Sequence, residues 1–451
     1  MSKLHIIIPT LLILFAIVRY NQSLANRYTP VFTLGFITDR TCRANKMSHD
    51  EHFQKWIKHV TSKIIENLGL DINKTRYTLS EPKNRIISTI YYVLLQFENK
   101  TTGENEEFPI VVKRALQNMV EILHVASQFH NEILFYKMYS SPDDNYAKCF
   151  YADERSSTDL VIALENVNKR GYYPCPYSCN SPLEYVLAAM RELGRFHGKG
   201  YAMKKLQPEK FFDIVTRLQT RFFKKNNTDN ENQSDYVILC NNNPPKLMKY
   251  LRNCGYYDPI FCDKMETVFS NAFDEIMMKT LKPLEPLATL CHGDFTLDNI
   301  LFNTENDGKY RAMPIDFAYL TYSTPVVDLS TFLCLCCTNE MRRDKFSDIM
   351  RAYHDSLKEY LLEAGVWDME VYSYEVLLED FKRGGLFGFI IATFHLPVLL
   401  GYLKIEEIAE IVSRMGMLEF LKRYKYNEEL SKILADMLLH LRNLGCLQHI
   451  L

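Results

Sequence analysis

The sequence predicts an α+β protein with a small antiparallel-sheet N-terminal lobe and a larger, mainly helical C-terminal lobe. Three observations predict it. The chain has 451 residues, more than one simple core accommodates. Between residues 86 and 164, β-branched and aromatic runs alternate with a polar turn and one stretch of helical periodicity. Beyond residue 183 the pattern is helical almost throughout, interrupted by short strands and turns over Thr289–Phe317. This divides the chain into an extension or leader at 1–46, a small lobe at 47–165 and a large lobe at 166–451.

Along the small lobe, Phe53, Trp56, Ile57, Val60, Ile64, Ile65 and Leu68 recur at helical spacing over His52–Leu68, with Gly69 as the stop. Ile86–Phe97 reads as a strand, Asn99–Glu107 as a turn containing Gly103, and Pro109–Lys113 as the returning strand of a hairpin. Val120–Tyr139 reads as a helix and Leu160–Leu164 as a further strand. Lys169–Pro182 is a loop. In the large lobe, Leu183–His197 and Phe261–Leu281 read as helices, and the Asn-rich, charged stretch Lys224–Pro245 as a mobile insert.

Composition bounds the function. Hydrophobic residues are 47% and charged residues 24%, as in ordinary globular proteins. Lys plus Arg number 53 against 55 Asp plus Glu, a net charge of −2, which argues against a nucleic-acid partner. Of 12 Cys, the only CxxC pair is Cys334 and Cys337, and no zinc-type partner spacing follows it. Buried, reduced thiols in a reducing compartment are expected. Cys175 and Cys179 share a Pro-containing loop, and their pairing is left open.

Leu4–Val18 is an apolar run behind Lys3, and Ser23-Leu24-Ala25 has the form of a signal-peptidase site. The run is short for a membrane span. Two placements follow: cytoplasmic, with 1–46 as an extension, or the secretory pathway through a signal peptide ending near Ala25. Membrane contact is expected only if the leader is retained. The Asn-x-Ser/Thr sites at Asn21, Asn73, Asn99, Asn226 and Asn232 matter only on the second route.

The informative segment is Leu290-Cys291-His292-Gly293-Asp294-Phe295-Thr296-Leu297-Asp298-Asn299-Ile300-Leu301-Phe302. An apolar strand runs into His-Gly-Asp, Asn follows five residues after that Asp, and a second strand follows the Asn. Asp316 comes 17 residues later in Pro314-Ile315-Asp316-Phe317. Phosphoryl transfer needs this grammar: a carboxylate to orient the attacking hydroxyl, and oxygen ligands for the ion that bridges the phosphates. Asp294 is the candidate catalytic carboxylate. Asn299 and Asp316 are the candidate ligands for Mg2+, which prefers carboxylate and carbonyl oxygens. His292 is expected to brace the loop, and Asp298 to face solvent.

Upstream, Lys113 ends the strand Ile110-Val111-Val112-Lys113, in the form of a lysine that holds the α- and β-phosphates of ATP. Glu132 lies 19 residues on, within a helix, placed to pair with it. Glu165 and Val167, in Leu164-Glu165-Asn166-Val167, mark the strand end where backbone groups are expected to meet adenine.

These segments, with Asn131-Glu132-Ile133-Leu134-Phe135-Tyr136, Leu193-Gly194-Arg195-Phe196-His197 and Ser323-Thr324-Pro325-Val326-Val327-Asp328-Leu329, resemble the insect ecdysteroid-kinase-like (CHK-kinase-like) family of the choline and aminoglycoside kinase superfamily. The resemblance runs from about Met47 to past Phe394. It implies a two-lobed protein-kinase-like fold, ATP with Mg2+, and phosphorylation of a small hydroxylated molecule such as an ecdysteroid. It also implies that Asp328 sits in a helix and braces the catalytic loop. One departure concerns the first turn of the small lobe. Ser80-Glu81-Pro82-Lys83-Asn84-Arg85 contains no glycine, which would let backbone N–H groups approach phosphate. The rival reading is a non-catalytic pseudokinase that binds an apolar ligand or a protein partner. No Ala-Pro-Glu segment follows Asp316, so a protein substrate is not expected.

Overall fold

The computed structural model describes residues 39–84, 87–99, 101–116, 125–155, 159–219, 235–254 and 258–450. The leader Leu4–Val18 and Ala25 lie outside these residues, as does the Asn-rich stretch up to residue 234. Contacts divide the described residues into two units. One holds the residues up to Phe129 together with Ala147–Asn166; the other holds His130–Tyr146 and everything from Val167 onward. No helix among the described residues is long and apolar enough to cross a membrane.

The first unit is an antiparallel sheet covered by a helix. Its strands are β1 (Arg76–Leu79), β2 (Lys83–Asn84), β3 (Ser88–Glu98), β4 (Asn105–Ala115), β5 (Cys149–Asp153) and β6 (Val161–Glu165). Their order is β1-β3-β4-β6-β5, with β2 also on β3. The expected hairpin is present and longer than its apolar cores, pairing Ser88 with Ala115 through to Glu98 with Asn105. Tyr91, Val93 and Leu95 alternate inward on β3. Helix α1 (Asp39–Asn67) lays Trp56, Ile57, Val60, Ile64 and Ile65 on them and on Ile110, Val112, Val161 and Ala163. It starts earlier than its apolar stripe and stops where Gly69 takes a φ of +69°. The Arg114 guanidinium lies 4.1 Å from the centre of the Trp56 ring and pairs with Asp159 at 3.0 Å.

The glycine-free segment is not a simple turn. Ser80 donates its N–H to the Tyr92 carbonyl, and Lys83 and Asn84 return to the sheet opposite Ile90 and Thr89. Ser80–Pro82 therefore bulges between two pieces of strand on the same neighbour, and the link into β3 falls after Asn84. Backbone pairing with β3, invisible in the local turn chemistry, moves it there. At the far side, β5 shifts register against β6 between Cys149 and Tyr151.

Helix α2 (Val125–Leu134) continues as one π-turn over Phe135–Tyr139. The second unit then holds five short strands in two antiparallel sheets, and many helices. β7 (Tyr173–Pro174) pairs with β9 (Ile300–Thr304), which pairs with β10 (Tyr310–Pro314). β8 (Thr289–Cys291) pairs with β11 (Thr321–Ser323). Helix α3 (Leu183–Leu206) packs on α5 (Phe346–Glu363), and α4 (Val326–Cys336) on α6 (Leu386–Leu399). Glycine permits both approaches: a Cβ on Gly194 would meet the Tyr353 carbonyl oxygen at 2.3 Å, and one on Gly388 would meet that of Ser330 at 2.0 Å. The buried Arg342 guanidinium donates to the carbonyls of Leu333, Cys334 and Cys337, closing the C-terminus of α4.

Two local expectations change. The end of the stretch expected to be a mobile insert forms the helix Asp235–Asn242, because Tyr236, Val237, Leu239 and Cys240 bury in the helical core, and a further helix, Pro245–Cys254, follows it. The helix expected over Phe261–Leu281 breaks after Phe269 and resumes as a π-turn at Phe273–Met278. Cys175, Cys179, Cys334 and Cys337 are all free thiols.

Gly388→Ala should lower stability to urea unfolding by roughly 1–3 kcal/mol, the usual cost of overpacking a tight core. Gly308→Ala, at a φ of +81° with open space around it, should cost about 1–2 kcal/mol from backbone strain alone. A Gly388→Ala protein as stable as wild type would contradict the close α4–α6 approach.

Candidate active site

The loop that follows β8 is fixed by one carboxylate. Asp328, in the first turn of α4, accepts the His292 N–H at 2.7 Å on Oδ2 and the Gly293 N–H at 2.8 Å on Oδ1. His197 of α3 lies 3.0 Å from the same Oδ2 through Nε2, and its Nδ1 is 2.9 Å from the Tyr353 hydroxyl. A single tautomer satisfies all three groups: Nε2–H donates to the carboxylate and Nδ1 accepts from the phenol. One ligand atom each of His197, Asp328 and Cys291 lies within 4.8 Å of the others. Protein partners already take both imidazole nitrogens and both carboxylate oxygens, so the cluster reads as a brace.

His292 is a second brace. Its Nε2 is 3.0 Å from the Ile315 carbonyl and its Nδ1 accepts the Asp294 N–H at 3.3 Å. Burial favours the neutral ring and pushes its pKa below the ordinary value, against the pull of Asp328. Gly293 turns the chain at φ +79°, where a Cβ would meet the Tyr319 carbonyl oxygen at 2.1 Å. Only glycine fits there.

Beyond the turn, Asn299 Nδ2 donates to the Asp294 carbonyl at 2.9 Å and to Asp294 Oδ2 at 2.8 Å. The Asn299 carbonyl accepts the Ile315 N–H at 2.9 Å, tying the loop to the end of β10. Asp316 follows at φ 64°, ψ 68°, a left-handed conformation that Asp tolerates better than most residues. Phe317 anchors it from behind. Its ring stacks on Phe135, 3.4 Å between centroids, with Phe196, His292 and Tyr146 around it. Asn131 of α2 joins in, donating to the carbonyls of Gln219 and Ala318 and accepting the Gln219 N–H.

The structure thus gathers Asp294, Asn299 and Asp316 into one site in the second unit. Asp294 is 2% exposed, and its Oδ1 has no hydrogen-bond partner. Burial first, and the neighbouring Asp316 charge second, push its pKa well above the ordinary carboxylate value; the Asn299 bond opposes this. An unsatisfied buried carboxylate oxygen beside a second carboxylate is a site that favours a cation. The available ligand atoms are oxygens, and Asn299 spends its amide N–H on Asp294, leaving Oδ1 for other work. This donor set fits Mg2+.

The other expected residues are placed as follows. Asp298 is not simply solvated, since Ser178 Oγ donates to its Oδ1 at 3.1 Å. Lys113 lies buried on β4 in the first unit, its Nζ 5.5 Å from the centre of the Phe129 ring. Glu132 is buried in α2. Glu165 closes β6, giving its N–H to the Lys148 carbonyl and taking the Lys148 N–H on Oε2. Val167 opens a 3-10 turn whose first carbonyl accepts the Tyr172 N–H. His197 and Tyr353 were not assigned a role from the sequence. Each lies on a helix more than a hundred residues from its partner, and nothing in the local pattern sets them apart.

A profile of the Ecdysteroid kinase-like family matches residues 83–366, most of the chain, and the protein belongs to that family. With the sheet unit and helical unit described above, the fold is α+β and protein-kinase-like. A relative from Caenorhabditis elegans, "Uncharacterized oxidoreductase dhs-27", is 22% identical over 296 residues, 64% of this chain. The match spans 33% of that protein's length, and the oxidoreductase name belongs to the longer relative. Among solved structures, the GDP complex of wild-type aminoglycoside 2'-phosphotransferase-IIIa is 14% identical, covering 84% of this chain and 98% of that one at a TM-score of 0.36. A microcompartment-associated aminopropanol kinase is 10% identical, covering 83% and 93% at a TM-score of 0.33. Scores at this level carry no activity from one chain to the other.

The Asp294 environment has a measurable cost. A carboxyl whose pKa is raised on folding is uncharged in both states at low pH and opposes folding as pH climbs past its unfolded value, near 3.9. Without metal or nucleotide, Asp294→Asn should therefore be more stable than wild type at pH 7 by roughly 1–3 kcal/mol, the usual cost of an unsatisfied buried group. The gain should shrink as pH falls toward 4. Urea unfolding in a chelator at both pH values checks this; a less stable variant at pH 7 would show that the carboxylate is well accommodated.

Proposed function

We propose that the protein is an ATP-dependent phosphotransferase that acts on a hydroxyl of a small molecule, an ecdysteroid or a related hydroxylated metabolite. The observation that carries this is the buried Asp294 carboxylate, held by Asn299 on one oxygen and unpartnered on the other, beside Asp316. A substrate hydroxyl presented to the open oxygen is oriented for attack, and its proton has an acceptor there. Burial makes Asp294 a stronger base than an exposed aspartate. The Asp328, His197 and His292 contacts keep the loop from relaxing when the carboxylate is charged.

Asn299 and Asp316 would hold Mg2+, which supplies charge neutralisation for the phosphates when bound. Lys113, Glu132, Glu165 and Val167 are assigned to the nucleotide on sequence grounds. The ATP requirement, together with the buried free thiols, supports a cytoplasmic placement; the secretory route through the leader is its alternative. The competing function, a pseudokinase that binds an apolar ligand or partner, draws on the glycine-free bulge at Ser80–Pro82.

Thermal unfolding with and without Mg-ATP separates the two. Ligand at a hundredfold over its Kd adds about 2.7 kcal/mol to the folded state. A magnesium-dependent rise in midpoint, lost in Asp316→Asn, is expected. Asp294→Asn should keep the rise yet lose at least about a hundredfold in turnover on an accepted alcohol. No shift at high Mg-ATP would favour the pseudokinase, and equal turnover by wild type and Asp294→Asn would remove Asp294 from the reaction.

A further inference from the structure

The helical unit holds a second polar site, away from Asp294. A cavity of about 100 Å³ lies between one face of α3 and the β9–β10 hairpin. Arg191, Glu192 and Arg195 line it from the helix, and Glu305, Lys309 and Arg311 from the hairpin. Four cations thus face two carboxyls. A larger cavity, about 620 Å³, lies along α5, lined by Ala352, Ser356, Glu359 and Leu362 among others. Arg191 lines both cavities.

Three observations say that this is more than a charged surface. Arg191 makes no ion pair within 4 Å of any described residue; burial and the neighbouring Arg195 disfavour its charge, and the more distant Glu305 favours it. Arg195 reaches its carboxylates only at 3.8–3.9 Å, to Glu192 and Glu359. The Ser356 hydroxyl, in the larger cavity, is buried without a hydrogen-bond partner. The lining therefore has two guanidinium forks with donors to spare and an unused hydroxyl, with Asp355 and Glu359 as the carboxylates of the larger cavity.

Glu192 deepens the imbalance. It is buried, and desolvation lifts its pKa to about 8, against the pull of Arg195 and Arg311. Asp144, Tyr146 and Tyr172 also face it, Asp144 pushing the same way. Near neutral pH Glu192 is mainly protonated, so it adds a donor and withholds its charge. Glu305, the other carboxyl of the lining, already pairs with Arg311 at 3.2 Å, and Lys309 pairs with Asp307 at 2.7 Å, which leaves Arg191 and Arg195 as the guanidinium groups without a close ion pair.

We propose that these two cavities, which share Arg191, bind a small phosphate monoester, with the phosphoryl group between Arg191, Arg195 and Arg311 and the organic part along α5 toward Ser356. The smaller cavity has the volume of about three waters, which suits one tetrahedral oxyanion. Guanidinium forks match its oxygens bidentately. The larger cavity is in the range that holds a small organic ligand. The site also touches the machinery already described. The hairpin starts beside Asn299 and ends beside Asp316, and α3 carries His197 two residues beyond Arg195. Closing the hairpin onto α3 around an anion would hold all three in place. The inference stands on the cavity and does not depend on the proposed reaction.

Calorimetry on the full chain tests it, with inorganic phosphate and glycerol 2-phosphate as probes and no nucleotide. The monoester should bind more tightly than inorganic phosphate. Arg191→Ala should weaken both at least tenfold, while Ser356→Ala should remove only the advantage of the monoester. Lys113→Ala separates this site from the proposed nucleotide site and should leave the binding intact. Sulfate, which does not titrate in this range, should bind more weakly as pH rises from 7 to 9, and Glu192→Gln should abolish that fall. Should Arg191→Ala not fold, Arg191→Lys asks the same question, since it keeps the charge and loses the fork. Binding unchanged in the Arg191 variant, absent from wild type at millimolar probe, or lost in Lys113→Ala instead, overturns the proposal.

Discussion

The carboxylate of Asp328 receives the backbone N–H groups of His292 and Gly293 and the imidazole of His197, and the catalytic loop hangs from those three bonds. The His292 and His197 donors are buried and Gly293 is partly so, so the bonds are made largely in a medium of low dielectric, where losing one leaves a desolvated polar group. The carboxylate comes from α4, the histidine from α3, and Tyr353 of α5 fixes that histidine from its other side. Three helices distant in sequence thus converge on two peptide groups. The close helix approaches at Gly194 and Gly388 belong to the same arrangement, since α3 meets α5 at one and α4 meets α6 at the other.

What this brace holds is costly. Asp294 keeps an oxygen without a partner inside the protein, and Asp316 sits in a backbone region that few residues enter. Both features oppose folding in the absence of ligands, and both occur where chemistry is proposed, as expected when a site is built for a state that forms only on binding. Phe317 stacked on Phe135, and His292 held to Ile315, are the packing and hydrogen bonds that offset them.

The loop itself was legible because its logic is local. Asn299 reaches back five residues to Asp294, and the return strand comes within the next fifteen, so spacing alone encodes the contacts. The hairpin of β3 and β4 and the apolar stripe of α1 were legible for the same reason. The anchor of Asp328 was expected from family resemblance, but its partners His197 and Tyr353 were not, because a histidine and a tyrosine on apolar helix faces look like core residues. The bulge at Ser80–Pro82 was misplaced as a turn because its position is set by pairing across the sheet. The helix Asp235–Asn242 was hidden by the polar composition of the residues just before it.

Among the described residues the sheet of the first unit is open, so β1 and β5 each present a row of backbone groups with no neighbouring described strand. Such margins invite another chain to add a strand, the first step in many aggregation routes. Here β1 is four residues long and gives way to the Ser80–Pro82 bulge, where Pro82 lacks an N–H to donate. On the other side β5 is five residues long and slips register against β6. Bulges twist and shorten the surface that a foreign strand needs. The irregularity that makes this lobe hard to read from its sequence therefore also protects it against joining its own copies edge to edge.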